Sequence, residues 1–196
     1  MHKEFPLFQT VIDLAHSYWK QCVTPGDIVI DATCGNGYDS SVLATLALTQ
    51  SSGELHLFDI QQKALQHSQE RLQSLHQDLM PRIHFHHICH SRIASCAAKE
   101  TVTLIVYNLG YLPAGDKSIT TQVETTLRSI ESGLELLRSG GVMSITCYPG
   151  HPEGKTEEEA LREAIKKLPQ HLWSVSCHRW LNRQRGPSLI LLQRSF

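Results

Sequence analysis

The sequence predicts an α/β fold in which a mostly parallel sheet of about seven strands is covered by helices on both faces. Apolar, strand-like segments alternate with amphipathic helical segments along most of the chain, which is the order typical of parallel sheets. The last two strand-like segments follow each other without a helix between them, so we expect a C-terminal antiparallel hairpin. We expect one domain over residues 1–196, with residues 1–24 forming a helix that packs on its core.

The elements of the first half are predicted by apolar spacing and by turn residues. A leading helix over 8–22 carries apolar side chains at helical spacing, and a Pro25-Gly26 turn precedes an apolar strand over 27–31. The next predictions, in chain order, are a helix over 38–49, a strand over 54–58, a helix over 61–76, and strands over 82–88 and 102–107.

The second half is predicted mainly from helix-end signals. Thr121 and Glu124 have the spacing of a capping box, so we expect a helix to begin there and to end at Gly140-Gly141. A strand over 142–147 follows. Thr156 with Glu159 predicts the start of another helix, which Pro169 would end, and the final strands are predicted over 172–179 and 188–194.

Composition limits the classes of protein to which the chain could belong. With 196 residues, 41% hydrophobic residues and a net charge of −1, we expect one compact enzyme domain whose nucleic-acid contacts, if any, use a local patch. No apolar run approaches the length of a membrane span, and the six cysteines form no Cys-x-x-Cys pair, so we expect a cytoplasmic protein with reduced thiols.

The histidine-rich segment from His84 to His90 is the cluster that could suggest a metal site. On a strand, His84 and His86 share one face while His87 points away, so this spacing does not gather ligands as structural zinc sites do. We therefore predict no metal site.

A glycine-containing loop follows the first predicted strand and precedes a helix. Gly35 and Gly37 allow positive φ and close approach of the backbone to a ligand, and the helix that follows presents free N–H groups. Asp59, at the end of the next strand, could accept hydrogen bonds from a ribose diol. These features predict a site for an adenosine-containing cofactor.

Two residues favour S-adenosylmethionine over a dinucleotide. A dinucleotide fingerprint requires a third glycine where this chain has Ser40. Asp31 places a carboxylate at the strand end, where it would repel a pyrophosphate but suit a cationic sulfonium amino acid.

A second loop, after the strand over 102–107, has features that suit amine chemistry. The side-chain oxygen of Asn108 and the backbone carbonyl of Leu109 could accept both hydrogens of a substrate amine, and Tyr111 could stack on a base. The loop is similar to the Asn-Pro-Pro-Tyr motif of amino-methylating enzymes, with Leu-Gly in place of Pro-Pro. The alternative is an ordinary turn made by Gly110 and Pro113.

Four segments together resemble the MnmM (YtqB) family, earlier described as rRNA methylases, over nearly the whole chain. They are Asp31-Ala-Thr-Cys-Gly-Asn-Gly, Phe58-Asp-Ile-Gln, the segment from Asn108 to Thr121, and Tyr148-Pro-Gly-His-Pro-Glu-Gly-Lys. The resemblance implies a Rossmann-like class I S-adenosylmethionine-dependent methyltransferase. Its implied reaction converts 5-aminomethyl-2-thiouridine at the wobble position of tRNA to 5-methylaminomethyl-2-thiouridine. The alternative is a methyltransferase that acts on rRNA or on another amine.

The loops and the resemblance together give the expected site residues. Cofactor contacts are expected from Asp31, Thr33, Gly35, Asn36, Gly37, Asp39, Asp59, Ile60, Gln61, His90, Ser91 and Asn108. Catalytic roles are expected for Asn108, Leu109, Tyr111, His151 and Asp116, the last two as candidate acceptors of the amine proton. Contacts to the tRNA anticodon stem-loop are expected from Tyr111, Lys117, Thr120, Tyr148, Lys155, Arg183 and Arg185.

Three rival functions remain open from the residues alone. A nicotinamide oxidoreductase would use the same sheet, although Ser40 and Asp31 argue against it. Cys147 could be the nucleophile of a carbon-methylating RNA enzyme. A tRNA-binding protein without turnover would keep the sheet as well. The sequence also leaves open whether the chain forms a homodimer.

Overall fold

The computed structural model describes residues 8–50, 52–112, 119–183 and 185–196. The strands are β1 (Ile28–Asp31), β2 (Glu54–Asp59), β3 (Ile83–His87), β4 (Val102–Leu109), β5 (Leu137–Cys147), β6 (Trp173–His178) and β7 (Ser188–Arg194). The helices are α1 (Val11–Cys22), α2 (Tyr38–Ala47), α3 (Gln62–His76), α4 (Val123–Leu136) and α5 (Pro152–Ile165), with short 3-10 helices at Gln77–Arg82 and His90–Ser95.

The strands form one seven-stranded sheet in the order β3-β2-β1-β4-β5-β7-β6. The first five strands in that order are parallel, whereas β7 is antiparallel to both β5 and β6. The predicted fold class and its C-terminal hairpin are confirmed. Chain order reverses between β1 and β4, and in such sheets ligands bind in the crevice at the carboxyl ends of the strands beside this point.

Alternate residues of the central strands supply two hydrophobic cores, one on each face of the sheet. On one face Val29 and Leu104 pack with side chains of α1, α2 and α3. On the other face Ile30 and Ile105 pack with side chains of α4 and α5. Because both faces are covered, β1 and β4 consist almost entirely of apolar residues, which made them easy to predict.

Helix α1 is anchored to the middle of the sheet by one buried tryptophan. Trp19 is 1% exposed, and its Nε1 donates a 2.9 Å hydrogen bond to Ser144 Oγ on β5. At the other end of the helix, Thr10 caps it by accepting from the backbone N–H of Asp13. The hydrogen bond from Trp19 thus sets where α1 packs on the sheet.

The predicted boundaries of α4 were wrong at both ends. The residue before the helix is Gln122, without a side-chain cap, because the Thr121 hydroxyl donates to Glu157 instead of capping with Glu124. The helix ends at Leu136, and Gly140-Gly141 lie inside β5, where Gly140 has φ +74°. Pairing of Leu137 with Val102 starts the strand earlier than the local sequence suggests.

The predicted start of α5 was also wrong. The helix begins at Pro152, a favourable first helical residue, and its cap is the His151 side chain, which accepts from the N–H of Gly154 at 3.1 Å. Thr156 lies within the helix and donates to the carbonyl of Pro152, so it does not cap with Glu159. The change of start position places His151 at the carboxyl edge of the sheet.

Among the described residues, no helix has both the length and the apolar content needed to cross a bilayer.

Candidate functional site

A cavity of about 760 Å³ lies at the carboxyl ends of the central strands. Its wall contains most of the site residues expected from the sequence, and its volume suits a small-molecule ligand. The expected residues in the wall are Thr33, Gly35, Asn36, Asp39, Asp59, Ile60, Gln61, His90, Asn108, Leu109, Tyr111, Thr120, Tyr148, His151 and Arg185. Asp31, Gly37, Ser91, Lys155 and Arg183 do not line it, and Asp116 and Lys117 lie outside the described residues.

Four buried side-chain atoms in the described part of the chain have no hydrogen-bond partner, and all four belong to residues of this wall. They are His90 Nδ1, Asn108 Oδ1, Thr120 Oγ1 and His151 Nε2. A buried polar atom without a partner costs about 1 to 3 kcal/mol. Their concentration in one cavity indicates that a ligand completes these hydrogen bonds.

The loop between β1 and α2 requires both of its glycines. Gly35 has φ +50° and Gly37 φ +76°, in the left-handed region that disfavours other residues. A Cβ on Gly37 would lie 2.8 Å from Ser68 Cα on α3, and a Cβ on Gly35 would lie 3.0 Å from Leu112 Cδ1. The loop therefore packs tightly against α3 and leaves its backbone open to the cavity.

Asp59 joins this loop to the end of β2. Its Oδ2 accepts from the N–H of Gly35 at 3.1 Å, and its Oδ1 accepts from the N–H of Gln61 at 2.8 Å. Burial raises the pKa of its carboxyl group. Each carboxylate oxygen has a further lone pair, so Asp59 can also accept from a ribose diol in the cavity.

Asp31 acts beneath the loop rather than at the cavity. It is fully buried, its Oδ2 accepts from Ser40 Oγ at 2.6 Å, and its Oδ1 accepts from the N–H of Thr33 at 3.3 Å. Burial, followed by repulsion from the Asp39 carboxylate, raises the Asp31 pKa to about 7. Sequence analysis considered Ser40 only because it stands where a dinucleotide fingerprint has its third glycine. In the structure its hydroxyl donates a hydrogen bond to the Asp31 carboxyl group.

Asn108 is held at the end of β4 by two hydrogen bonds. Its backbone N–H donates to Thr33 Oγ1 at 2.7 Å, and its Nδ2 donates to Asp39 Oδ2 at 2.8 Å. The amide nitrogen must face the carboxylate, so the unpartnered Oδ1 is the acceptor left for a ligand. The other oxygen of Asp39 lies 2.7 Å from His16 Nε2, on α1. Sequence analysis did not single out His16.

The turn after β4 is fixed by a buried glutamate that sequence analysis also missed. The N–H of Gly110 donates to Thr121 Oγ1 at 2.8 Å, and the Thr121 hydroxyl donates to Glu157 Oε2 at 2.6 Å. Glu157 is 3% exposed, and its Oε1 accepts from Thr126 at 2.6 Å. The position of Tyr111 follows, because Tyr111 comes next in the chain and forms a β-bridge with Thr120.

Tyr111, Tyr148 and His151 surround the outer part of the cavity. The rings of Tyr111 and His151 lie 5.2 Å apart between centroids, and Tyr148 is 37% exposed. Burial, with a contribution from the Asp39 carboxylate, raises the Tyr148 pKa to about 12, so its hydroxyl remains a donor at neutral pH. His151 Nδ1 lies 3.1 Å from the backbone nitrogen of Gly154 and 3.2 Å from Glu153 Oε2, and its buried Nε2 has no partner in the described part of the chain.

His90 lies at the inner part of the cavity and is 7% exposed. Burial lowers its pKa to about 4, so the ring is neutral at physiological pH. Its backbone carbonyl accepts from the buried Ser129 hydroxyl at 2.8 Å, which fixes the 3-10 helix that carries it. The unpartnered Nδ1 is suited to a hydrogen bond with the base of a nucleoside.

The mouth of the cavity carries exposed side chains suited to nucleic acid. Tyr38, which sequence analysis did not select, is 66% exposed, and the Arg71 guanidinium lies 3.6 Å from its ring centroid. Arg185 is in the cavity wall. Arg183 lies against the Trp180 ring at 4.2 Å, and Lys155 lies 3.9 Å from Glu159 on the surface of α5.

Among the described residues, strand pairing gathers one group of metal-type ligands that the spacing argument did not foresee. Single ligand atoms of Glu54, His56 and His84 lie within 4.8 Å of one another, because His56 and His84 are partners on β2 and β3. His56 Nε2 is 3.2 Å from Glu54 Oε2, His56 Nδ1 is 3.1 Å from His86 Nε2, and His84 Nε2 is 4.0 Å from the same Glu54 oxygen.

Cys147, the candidate nucleophile, is poorly placed for that role. It is 1% exposed, it is absent from the cavity wall, and burial strongly raises its pKa, so the reactive thiolate is disfavoured. All six cysteines are free thiols.

The chain is similar to known proteins in sequence. Residues 55–194 match the family model described as "Putative rRNA methylase". A curated relative from Arabidopsis thaliana, tRNA (mnm(5)s(2)U34)-methyltransferase, chloroplastic, is 33% identical over 185 residues, which cover 92% of this chain and 68% of the relative.

Two solved structures are similar over nearly their whole length. A "putative rRNA-methylase" from Clostridium thermocellum has 32% identity and a TM-score of 0.89, covering 95% of this chain and 98% of that one. A "putative methyltransferase" from Streptococcus mutans, solved in complex with SAH, has 29% identity and a TM-score of 0.84, covering 96% and 99%.

Proposed function

The chain belongs to the "Putative rRNA methylase" family and is an S-adenosylmethionine-dependent methyltransferase, and from that premise we propose that its substrate is tRNA. The reaction we propose is methylation of the primary amine of 5-aminomethyl-2-thiouridine at the wobble position, which gives 5-methylaminomethyl-2-thiouridine. The name of the Arabidopsis relative, a tRNA (mnm(5)s(2)U34)-methyltransferase, supports this choice of nucleoside.

The observation that carries the proposal is the unpartnered Oδ1 of Asn108. It is a buried acceptor at the carboxyl end of β4, and its orientation is set by the bond from Nδ2 to Asp39. An acceptor of this kind can bind one hydrogen of a neutral primary amine and direct the nitrogen lone pair toward a methyl donor. A carbon acceptor has no N–H or O–H to donate to this oxygen.

The residues of the inner cavity fit S-adenosylmethionine. Asp59 offers carboxylate oxygens to the ribose diol, the loop over 35–37 brings its backbone close to the ligand, and His90 Nδ1 is available to the adenine. When bound, the cofactor supplies a methyl group on a cationic sulfonium. The carboxylates of Asp39 and Asp59 give this part of the wall a negative potential that suits the cation.

The amine must lose a proton, since a free alkyl amine has a pKa of about 10 and is mostly protonated at pH 7. Desolvation in the cavity favours the neutral form. The buried Nε2 of His151 has no partner among the described residues, so we propose that it is one acceptor of the amine proton. Asp116 stays a predicted proton acceptor, and it lies outside the described residues.

We propose that the outer wall binds the unpaired bases of the anticodon loop. RNA loops are recognised by stacking of splayed bases on aromatic side chains and by contacts from arginine to phosphate. Tyr38, Tyr111 and Tyr148 are exposed aromatic residues around the cavity, and Arg185 lies beside them. Lys155 and Arg183 stay predicted contacts outside the cavity wall, and Lys117 stays a predicted contact that lies outside the described residues.

Nucleoside mass spectrometry tests the proposal directly. tRNA from cells that lack this protein is incubated with the purified chain and S-adenosylmethionine carrying a labelled methyl group. We expect one labelled methyl on the aminomethyl nucleoside, and a much slower gain of label with Asn108→Ala. rRNA from the same cells is the comparison substrate. If label enters rRNA and the tRNA nucleoside is unchanged, the proposed substrate is wrong.

A further inference from the structure

A chain of two hydrogen bonds connects helix α1 with the amide of Asn108. His16 Nε2 lies 2.7 Å from Asp39 Oδ1, and Asp39 Oδ2 accepts from Asn108 Nδ2 at 2.8 Å. The side chains of His16 and Asp39 are 21% and 12% exposed, so water has little access to either bond. One oxygen of the Asp39 carboxylate is thus hydrogen bonded to His16, and the other is hydrogen bonded to Asn108.

The chemistry of these groups allows only one direction of donation. A carboxylate only accepts, so both His16 Nε2 and Asn108 Nδ2 must donate to Asp39. If Asp39 rotated, the Asn108 amide could exchange its nitrogen and oxygen, because the two ends have nearly the same shape. The bond from His16 restrains that rotation.

His16 is itself fixed from outside the cavity. Its ring lies 4.6 Å from the ring of Trp19, between centroids, and Trp19 is bonded to Ser144 on β5. The position of His16 is therefore set by the docking of α1 on the sheet, and not by groups that touch the ligands.

We infer that His16 is a positioning residue for methyl transfer, which acts through Asp39 to keep Asn108 Oδ1 facing the amine. This inference rests on the proposed function of Asn108. His16 does not line the cavity, so it does not touch the substrate, and its contribution is to geometry alone. A misplacement of about 1 Å at a reacting group can lower a rate by about 100-fold.

Two substitutions at this position separate the hydrogen bond from the packing. His16→Gln retains an N–H at the place of Nε2, whereas His16→Leu keeps an apolar contact with Trp19 but donates nothing. Ser17→Ala is the control, because Ser17 lies on the same helix and donates only to the carbonyl of Leu14.

We expect His16→Leu to lower kcat for methyl transfer by about 10- to 100-fold, while KM for tRNA and the Kd for S-adenosylmethionine change by less than about threefold. His16→Gln should recover most of the rate, and Ser17→Ala should be unchanged. Equal rates for His16→Leu and the unsubstituted protein would overturn the inference. Equal losses in the Leu and Gln variants would assign His16 to packing and would also overturn it.

A spectroscopic measurement tests the same inference without turnover. In the ¹⁵N-labelled protein, the side-chain amide signal of Asn108 is identified by its loss in Asn108→Ala. We expect this NH₂ to exchange slowly with water, and to exchange faster in His16→Leu but not in His16→Gln. Unchanged exchange in His16→Leu contradicts the inference even if the proposed substrate is correct. If the amide responds as expected but no methyl is transferred, the proposed function fails instead.

Discussion

Two kinds of polar side chain matter at the carboxyl edge of the sheet. In one kind, other groups of the chain supply all the hydrogen-bond partners, and in the other kind one buried atom has no partner among the described residues. Asp31 and Glu157 belong to the first group, with each carboxylate oxygen accepting a hydrogen bond. His90, Asn108 and His151 belong to the second and line the cavity. The first group sets the positions of loops, and the second group is available for binding and chemistry.

Asn108→Ala tests the main catalytic assignment at this scale. Removal of a fixed polar group that acts on the reacting atoms lowers a rate by about 10²- to 10³-fold. We expect a loss of that size in the single-turnover rate of methyl transfer, with a much smaller change in the Kd for S-adenosylmethionine. Gln73→Ala, at an exposed position on α3, is the control. A rate loss below about threefold would remove Asn108 from the mechanism.

Asp31→Asn tests the buried carboxyl group through the pH dependence of stability. The Asp31 pKa is about 7 in the folded state and about 3.9 in the unfolded state. At a pH between these two values, the carboxyl group is therefore protonated in the folded state and ionised in the unfolded state. The contribution of Asp31 to the unfolding free energy therefore falls as pH rises from about 4 to about 7, and is constant above.

The measurement is urea unfolding of both proteins without cofactor across that pH range. Asn can still accept from Thr33 and face the Ser40 hydroxyl, so the loop should persist. The quantity compared is the unfolding free energy of Asp31→Asn minus that of the unsubstituted protein. We expect this difference to increase by a few kcal/mol as pH rises from about 4, and to become constant near pH 7. A difference that is independent of pH would mean that the carboxyl group titrates normally.

At the scale of elements, the loops at the carboxyl edge depend on contacts with distant helices. The glycine loop rests on Ser68 of α3, whose hydroxyl donates to the carbonyl of Gly35 at 2.8 Å. The turn at Gly110 is hydrogen bonded to Thr121, and Thr121 is hydrogen bonded to Glu157 of α5. Each site loop is thus held by an element that is remote in sequence, which gives the rigidity that positioning of two substrates requires.

Gly37→Ala tests the glycine loop. The positive φ costs about 1 to 3 kcal/mol for a residue with a Cβ, and that Cβ would lie 2.8 Å from Ser68 Cα, which is backbone and cannot move away alone. We expect a loss of unfolding free energy of at least that size and weaker binding of S-adenosylmethionine, by calorimetric titration.

Gly150→Ala is the matched control for this substitution. Gly150 also lies in the cavity wall, but the nearest atom to an added Cβ is the Arg185 carbonyl oxygen at 3.9 Å, which is ordinary contact. Stability should change by less than about 0.5 kcal/mol. If the two alanine variants behave alike, the conformation given for the loop is wrong.

At the scale of the whole molecule, the net charge of −1 gives no general attraction for RNA. Binding must depend on local cations, and Arg185 is the described arginine that lies in the cavity wall. Arg183 comes two residues earlier in the chain, and its guanidinium lies 4.2 Å from the centroid of the Trp180 ring.

Arg185→Ala combined with Arg183→Ala tests this local patch. Removing one arginine that neutralises a phosphate should reduce the slope of log Kd against log salt concentration by about 0.7 to 0.9. We expect weaker tRNA binding and a slope reduced by about 1 to 2, measured by filter binding at several salt concentrations. Arg128→Ala is the control, since Arg128 pairs with Glu124 on the surface of α4. An unchanged slope in the double variant would exclude both arginines from the interface.

Sequence analysis was most successful where a local pattern is sufficient. The apolar runs of β1 and β4, the two glycines with positive φ and the polar residue that ends each strand identified the sheet and both loops. It was least successful at the ends of α4 and α5. Thr121 and Thr156 have the spacing of capping residues, but the Thr121 hydroxyl donates a hydrogen bond to Glu157 on another helix. A partner so far away along the chain cannot be recognised from the residues next to Thr121.

The sequence by itself determined the order of strands and helices along the chain and the two loops that line the cavity, because these depend on hydrophobic periodicity and on backbone preferences over a few residues. The tertiary structure decided which polar atoms in the cavity wall are left without a partner among the described residues. Packing of α1 brings His16 to Asp39, burial leaves Asn108 Oδ1 without a partner, and the start of α5 places His151 at the cavity. Each depends on groups that are adjacent only after folding, so no local pattern could reveal it.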